Sequence, residues 1–475
     1  MQPLELTGHD LSLDDVVAVA RDGRLVSISP AAVERMRAAR AVAVRAAGAD
    51  AGVYGLNTGL GALRDVPQGA AEVYNRLTIQ SHRTTHGPLL GRDVVRAAML
   101  HRANALCLGR SMARPEVAEA LASALNDGAE PPIRTIGSIG QSDLPVTAEI
   151  AHALVERGLV LEQGESLPLL NANSLSAGAG ALALHDAGVL LAAYDSVVAL
   201  SLDGFAANLS MLHPQLAADR PYPGLIATAD RLRGLLAGSR LLDGEPPRQL
   251  QDPLCFRCIP QVHGAVRDVL ANSSEQARIE LNASGDNPMV VVDESIVVSV
   301  ANFDIVPLAM ALDAARLALA QVFTASNERV QKLLAGQFSG LATALRADDG
   351  PEDALGMMGL GAAALAAEAR LLAAPVSLEV STTTIAAGIE DRMTMAPLAA
   401  RRLSEMVELG SRVAAVELVV GAQAVDLRGR PAIGVGSAAA YAGTRARVPF
   451  LGPMEAPGNN LDDLSAWVIG GMPAS

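Results

Sequence analysis

The sequence predicts a mainly α-helical protein, and three observations predict it. Half of the 475 residues are hydrophobic but only 3% are aromatic, so the apolar content is chiefly Ala, Leu and Val, which suits closely packed helices better than sheets. Three long stretches, residues 307–334, 352–374 and 396–427, carry no proline beyond their first two positions. Only one pair of short segments, 289–292 and 296–300, has the β-branched character of a hairpin.

Composition also bounds the partners. A net charge of −14 argues against general affinity for nucleic acid or an anionic membrane, since both need a basic surface. The N-terminus lacks a basic region followed by an apolar run, so a cytoplasmic protein is expected. Apolar stretches such as 188–202 are interrupted by Asp195 and read as buried helices rather than membrane spans. Cys107, Cys255 and Cys258 are too few for a disulfide framework. Cys255 and Cys258 have C-x-x-C spacing but no second pair and no strand–turn–helix context, so no metal site is expected. The expected partners are small molecules and copies of the chain itself.

Taken in order, the region from Leu4 to Val26 reads as small strands or turns, including Leu25-Val26-Ser27-Ile28 before Pro30. Ser29 is placed to cap a helix over 31–47, with Pro30 at its first position and Gly48 at its end. Residues 53–63 hold Tyr54, Asn57 and three glycines with almost no charge, the pattern of a flexible loop. Helices follow over 70–82, 91–108 and 115–126. A glycine-rich turn, Gly137 to Leu144, then feeds a helix ending near Arg157, with Ser142 as its expected N-cap and Asp143 and Pro145 in its first turn. Such a junction favours negative charge in front of it. Asn171 ends an apolar run, as a cap or as a polar group facing a pocket.

A long helix is expected over 176–202, then an irregular region around a shorter helix over 227–236. Arg257 sits among apolar residues and needs an anionic partner or several acceptors. Residues 282–288 form a turn before the hairpin. Apolar residues cover much of the surface of the helix over 352–374, so it should be buried all round, in a bundle shared between subunits. A polar loop, 381–392, precedes the last long helix. Two regions are expected: residues 1–200, a mixed domain carrying the Tyr54 loop and the Gly137–Leu144 turn, and residues 201–475, a central helical bundle and C-terminal helical region.

These loops together resemble the histidine and phenylalanine ammonia-lyase family over nearly the whole chain and in the same order. The resemblance rests on Tyr54-Gly55-Leu56-Asn57-Thr58-Gly59, Ser81-His82, Arg102-Ala103-Asn104-Ala105-Leu106, Gly137-Ser138-Ile139-Gly140, Leu169-Leu170-Asn171, Arg257-Cys258-Ile259-Pro260-Gln261-Val262, Ser284-Gly285-Asp286-Asn287-Pro288, Asn302-Phe303 and Glu390-Asp391. It implies the family's mostly helical fold on a long central bundle, a homotetramer, and active sites each assembled from three subunits. It also implies roles: Tyr54 as the base that takes the substrate β-proton, Arg257 as the holder of the substrate carboxylate, and Asn171 and Gln251 as polar groups around substrate and prosthetic ring. His82, Phe303 and Glu390 match positions that contact the substrate.

The family continues its glycine-rich turn as Ala-Ser-Gly-Asp-Leu, and the Ala-Ser-Gly unit cyclises to a methylidene-imidazolone that activates the substrate for loss of ammonia. This chain instead reads Gln141-Ser142-Asp143-Leu144, one residue shorter or fully substituted. Cyclisation requires the amide nitrogen after the serine to attack the carbonyl before it. Glycine permits the compressed backbone, whereas the Cβ of Asp143 opposes it. The prosthetic group is therefore expected to be absent, and no other cofactor is implied. Leu254 stands where the family has a tyrosine, Asp304 where it has a histidine, and the chain is shorter between His152 and Glu165.

A tyrosine phenol has a pKa of about 10, so Tyr54 works as a base only with a positive neighbour or a helix N-terminus beside it. Arg257 is the available cation, and arginine binds carboxylates bidentately. Without the ring, the substrate must bring its own activation, such as a better leaving group, a conjugated acceptor or an oxidised ring. Three readings follow: a ring-less enzyme performing elimination, conjugate addition, cyclisation or isomerisation on an amino-acid-derived carboxylate; a non-catalytic ligand- or protein-binding relative; and a conventional ammonia-lyase.

Overall fold

The computed structural model describes residues 2–48, 52–347, 354–378, 388–453, 455, 457–458, 460–470 and 472. Most of the loop expected over 381–392 lies outside the described residues, which resume at Gly388. Helices dominate, and three two-stranded sheets are present among the described residues. The expected hairpin forms, with Met289 opposite Val298 and Val291 opposite Ile296. The chain divides into two compact units, each discontinuous in sequence. Unit 1 comprises Met1–His185, Ser273–Asp313 and Pro375–Arg401, and unit 2 comprises Asp186–Asn272, Ala314–Ala374 and Arg402–Ser475. The division expected at residue 200 falls inside the helix Ser174–Phe205.

Unit 1 opens with the strand Leu4–Leu6 paired parallel to Val26–Ile28. Between them lies a helix, Leu13–Ala20, where only strands and turns were expected. Its signal was a capping box: Ser12 Oγ accepts from the Asp15 amide and the Asp15 carboxylate accepts from the Ser12 amide. The helix Pro30–Gly48 forms as expected, with Ser29 Oγ accepting from the Ala32 amide at 3.1 Å. A second sheet, His86–Leu89 against Arg134–Ile136, joins segments more than 40 residues apart, too distant for a local pattern to reveal.

The helix Arg92–Leu106 is buried over most of its length, polar residues included. Arg96 donates to the carbonyls of Val19 and Leu125, and Asn104 links the Gly8 amide to the Leu281 carbonyl. Arg102 Nη2 pairs with Asp286 Oδ1 at 2.7 Å, both side chains buried. Two of the motifs that carry the resemblance, Arg102 to Leu106 and Ser284 to Pro288, therefore meet as a structural brace.

In unit 2, residues of the helices Ser174–Phe205, Val306–Leu334 and Ala396–Leu427 pack together. Tyr194 OH donates to the Gly410 carbonyl at 2.8 Å and its ring tilts against Phe323. The segments Ser166–Phe205 and Val306–Leu334 are long and apolar enough to cross a membrane, yet most of each apolar window is buried inside the protein. On the helix Gly356–Leu372, expected to be buried in a bundle shared between subunits, Met357 is 65% and Leu360 62% exposed in the single chain.

Candidate active site

Of the residues expected around a substrate, all but two lie in unit 1, where Asn171 reaches the Gly137–Leu144 turn through Ser142. Gln251 and Arg257 belong to unit 2. Gln251 is exposed, and Arg257 is half-buried with Nε donating to the Asp252 carbonyl at 2.7 Å. Cys255, two residues earlier, has its thiol pushed up to about 11, first by burial.

Tyr54 rests against an apolar cluster of Ala39, Val42, Ala43, Leu56, Met112 and Leu167, among others. Gly55 makes the close approach possible: it has φ +69°, and a Cβ there would lie 2.3 Å from Leu167 Cδ2. Leu167 lies on the short helix Ser166–Leu170, which ends at Asn171, so one contact sets both the tyrosine loop and the asparagine. Tyr54 OH accepts from the Gly61 amide at 3.0 Å. Burial chiefly, and Glu390 with it, raises the phenol pKa against the opposing effects of the Gly61 amide and Arg64. Within one chain Tyr54 is thus a neutral phenol at neutral pH, not the lowered one a base requires. Glu390 itself is exposed and within electrostatic reach of Tyr54.

His82 ends the helix Ala71–His82, and its Nδ1 lies 2.7 Å from the Thr78 carbonyl. That contact assigns the proton of the neutral ring to Nδ1 and leaves Nε2 as the acceptor. Phe303 is half-buried, its carbonyl accepting from Asn173 Nδ2 at 2.6 Å. Asn171 Nδ2 donates to the Asn287 carbonyl at 3.2 Å, and Asn171 Oδ1 accepts from Ser142 Oγ.

Ser142 is not the helix cap. It holds a left-handed φ of 54°, and Asp143 occupies the N-cap position of the helix Leu144–Glu156. The Asp143 amide donates to the Ala172 carbonyl at 2.8 Å. The Asp143 carboxylate is fully buried and accepts from Ser138 Oγ at 2.6 Å, the Ser176 amide at 2.8 Å and Ser176 Oγ at 3.0 Å. Burial raises its pKa above the ordinary carboxylate value despite those donors.

Asp304 and Arg392 were not expected here. Gln141 Nε2 donates to Asp304 Oδ2 at 3.2 Å, Arg392 Nε donates to the same oxygen at 2.8 Å, and Gln141 and Asp304 form an isolated antiparallel bridge. Burial raises the Asp304 pKa, but Arg392, Gln141 and the Val306 amide outweigh it and hold the carboxyl low. The only sequence signal was a charge change: an aspartate where the family has a histidine. Nothing local pairs residues 88 positions apart.

A cavity of about 10 Å³, room for one water, is lined by His101, Arg102, Asn173, Glu280 and Asn302, among others. Burial pushes the Glu280 carboxyl up to about 7 and the His101 imidazole down to about 4. Because the folded pKa of Glu280 exceeds the ordinary carboxyl value of 4.5, folding takes up a proton in that window and stability falls as pH rises from about 4.5 to 7. Glu280→Gln is expected to stabilise the fold by about 1–3 kcal/mol near pH 8 and to have little effect near pH 4. Urea denaturation at both pH values reads the difference, and an equal effect at the two would contradict the assignment. No cluster of three or more metal-binding side chains occurs among the described residues.

The sequence family described as aromatic amino acid lyase matches residues 11–164 and 156–446. The histidine ammonia-lyase of Symbiobacterium thermophilum is 35% identical over 476 residues, covering 95% of this chain and 93% of the relative. Among solved structures, the ergothioneine-degrading ergothionase of Treponema denticola, determined with desmethyl-ergothioneine sulfonic acid, superposes with a TM-score of 0.93 at 30% identity and covers 98% of both chains. The tyrosine aminomutase of Streptomyces globisporus superposes with a TM-score of 0.90 at 28% identity, covering 98% of this chain and 97% of the other.

Proposed function

The chain belongs to the aromatic amino acid lyase family of carbon–nitrogen lyases, and from that premise we propose that it eliminates an amine from a histidine-derived betaine without a methylidene-imidazolone group. The observation that carries this reading is the Gln141-Ser142-Asp143 turn. To cyclise, the Asp143 nitrogen would have to give up its bond to Ala172 and swing a Cβ whose carboxylate is held by Ser138 and Ser176. Ser142 is likewise tied to Asn171. The residues present do not fit the ring.

Without that electrophile the leaving group must be good by itself. A quaternary trialkylammonium, as in ergothioneine, has no N–H to lose and departs as a neutral amine, whereas a primary amine needs activation. Tyr54 takes the β-proton, the C–H electron pair becomes the Cα=Cβ bond, and the Cα–N pair leaves with the amine. The substrate cation also answers the electrostatic problem at Tyr54, because a positive charge beside the raised phenol lowers its pKa. His82, Asn171, Phe303 and Glu390 are proposed to surround the substrate. Gln251 and the carboxylate-holding Arg257 keep their proposed roles from the family pattern. We further propose a homotetramer, supported by the exposed apolar residues Met310 and Leu317 on Val306–Leu334 and Met357 and Leu360 on Gly356–Leu372.

The test pairs turnover with mass. Purified protein given ergothioneine should release amine at least about 10²-fold faster than it releases ammonia from histidine. Its intact mass should equal that of the sequence, and native spectra should show four chains. A mass lighter by two waters, or faster turnover of histidine, would overturn the reading.

A further inference from the structure

In unit 1 the segment following Glu390 lies along the glycine-rich turn, joined to it directly by Thr394 and Met395 and through Asp304 by Arg392. Arg392 and Gln141 share Asp304 Oδ2, at 2.8 and 3.2 Å. Thr394 Oγ1 donates to the Gly140 carbonyl at 2.8 Å, and the Met395 amide donates to the Ile139 carbonyl at 2.9 Å. The backbones of Gln141 and Asp304 are bridged directly. Gly140 has φ +79°, and a Cβ there would lie 2.2 Å from Thr394 Oγ1, so only glycine admits this contact. Non-glycine residues near the turn's end and on the strap hold left-handed backbone, Ser142 and Met395 at φ 54° each. Such conformations are costly and persist where surrounding contacts over-determine them.

We propose that Asp304 and Arg392 form a clamp that fixes the Glu390-bearing segment against the glycine-rich turn, which makes both of them positioning residues for Glu390. The proposal rests on the reading that Glu390 faces the substrate. Gln141 is what specialises the clamp to this chain: a side chain at the position of the family's ring-forming alanine reaches Asp304 and adds a second donor to the carboxylate that Arg392 engages. Arg392 is half exposed and Asp304 mostly covered, so the ion pair alone is worth little in water. Its effect comes from acting on one carboxylate together with an amide and a backbone bridge.

The test reads the strap without depending on turnover. Hydrogen exchange on the full chain should show the Met395 amide exchanging roughly threefold to tenfold faster in Asp304→Asn and in Arg392→Gln. The double variant should be no faster than the worse single one, the signature of a shared contact. With a betaine substrate, Arg392→Gln should lower kcat roughly tenfold while KM changes less, since it acts through the placement of Glu390. Unchanged exchange in both single variants overturns the clamp. Faster exchange with unchanged kcat overturns the positioning role. If the wild-type chain turns over no betaine, the exchange experiment still decides the clamp, and it is the substrate reading that fails. Arg392→Gln guards against a folding defect, because its side chain is the more exposed of the pair.

Discussion

Tyr54→Phe is expected to lower kcat/KM for the betaine by about 10²–10⁴-fold, the usual contribution of a positioned proton acceptor. The ring keeps its footing in the apolar cluster with Leu56 and Leu167, so the variant should fold and bind substrate with a similar KM. The raised phenol pKa sets the pH dependence. A base works only when deprotonated, so wild-type kcat/KM should climb roughly tenfold per pH unit on the acid side of that pKa. The phenylalanine variant should be flat over the same range. Initial rates across a pH series measure both, and an alkaline rise that survives the substitution would show that another group takes the proton.

Glu417→Ala is expected to destabilise the protein by about 3–5 kcal/mol, the cost of leaving a buried charge without its partner. Glu417 and Arg329 are both fully buried. The carboxylate accepts from Arg329 Nε at 2.6 Å, Arg329 Nη2 at 2.9 Å, Ser201 Oγ at 2.7 Å and Ser326 Oγ at 2.5 Å. Burial disfavours the charge on Arg329, yet Glu417 outweighs it and keeps the guanidinium ionised. Replacing both residues by leucine should restore much of the loss, because neither charge then remains unpaired. Thermal unfolding followed by circular dichroism distinguishes the outcomes. A loss under about 1 kcal/mol for the single variant would mean that water reaches Arg329.

The sequence by itself determined the helical class, most of the long helices and the family. Low aromatic content and long runs with proline only in the first turn report backbone preference directly, which is why the helix Ala396–Leu427 emerged with the expected limits. The loop motifs were legible because glycine, asparagine and tyrosine are rare together in an uncharged stretch. The parallel pairing of Leu4–Leu6 with Val26–Ile28 and the helix between them were harder to read, because both elements are short.

Tertiary structure decided which charges meet. Asp286 accounts for Arg102, Glu417 for Arg329, and Asp304 draws Gln141 and Arg392 together across 163 and 88 residues. A charge carries no record in sequence of its distant partner, and its pKa depends on burial that only packing creates. The same reason hid from sequence the burial that raises the Tyr54 phenol pKa, and moved the helix cap from Ser142 to Asp143.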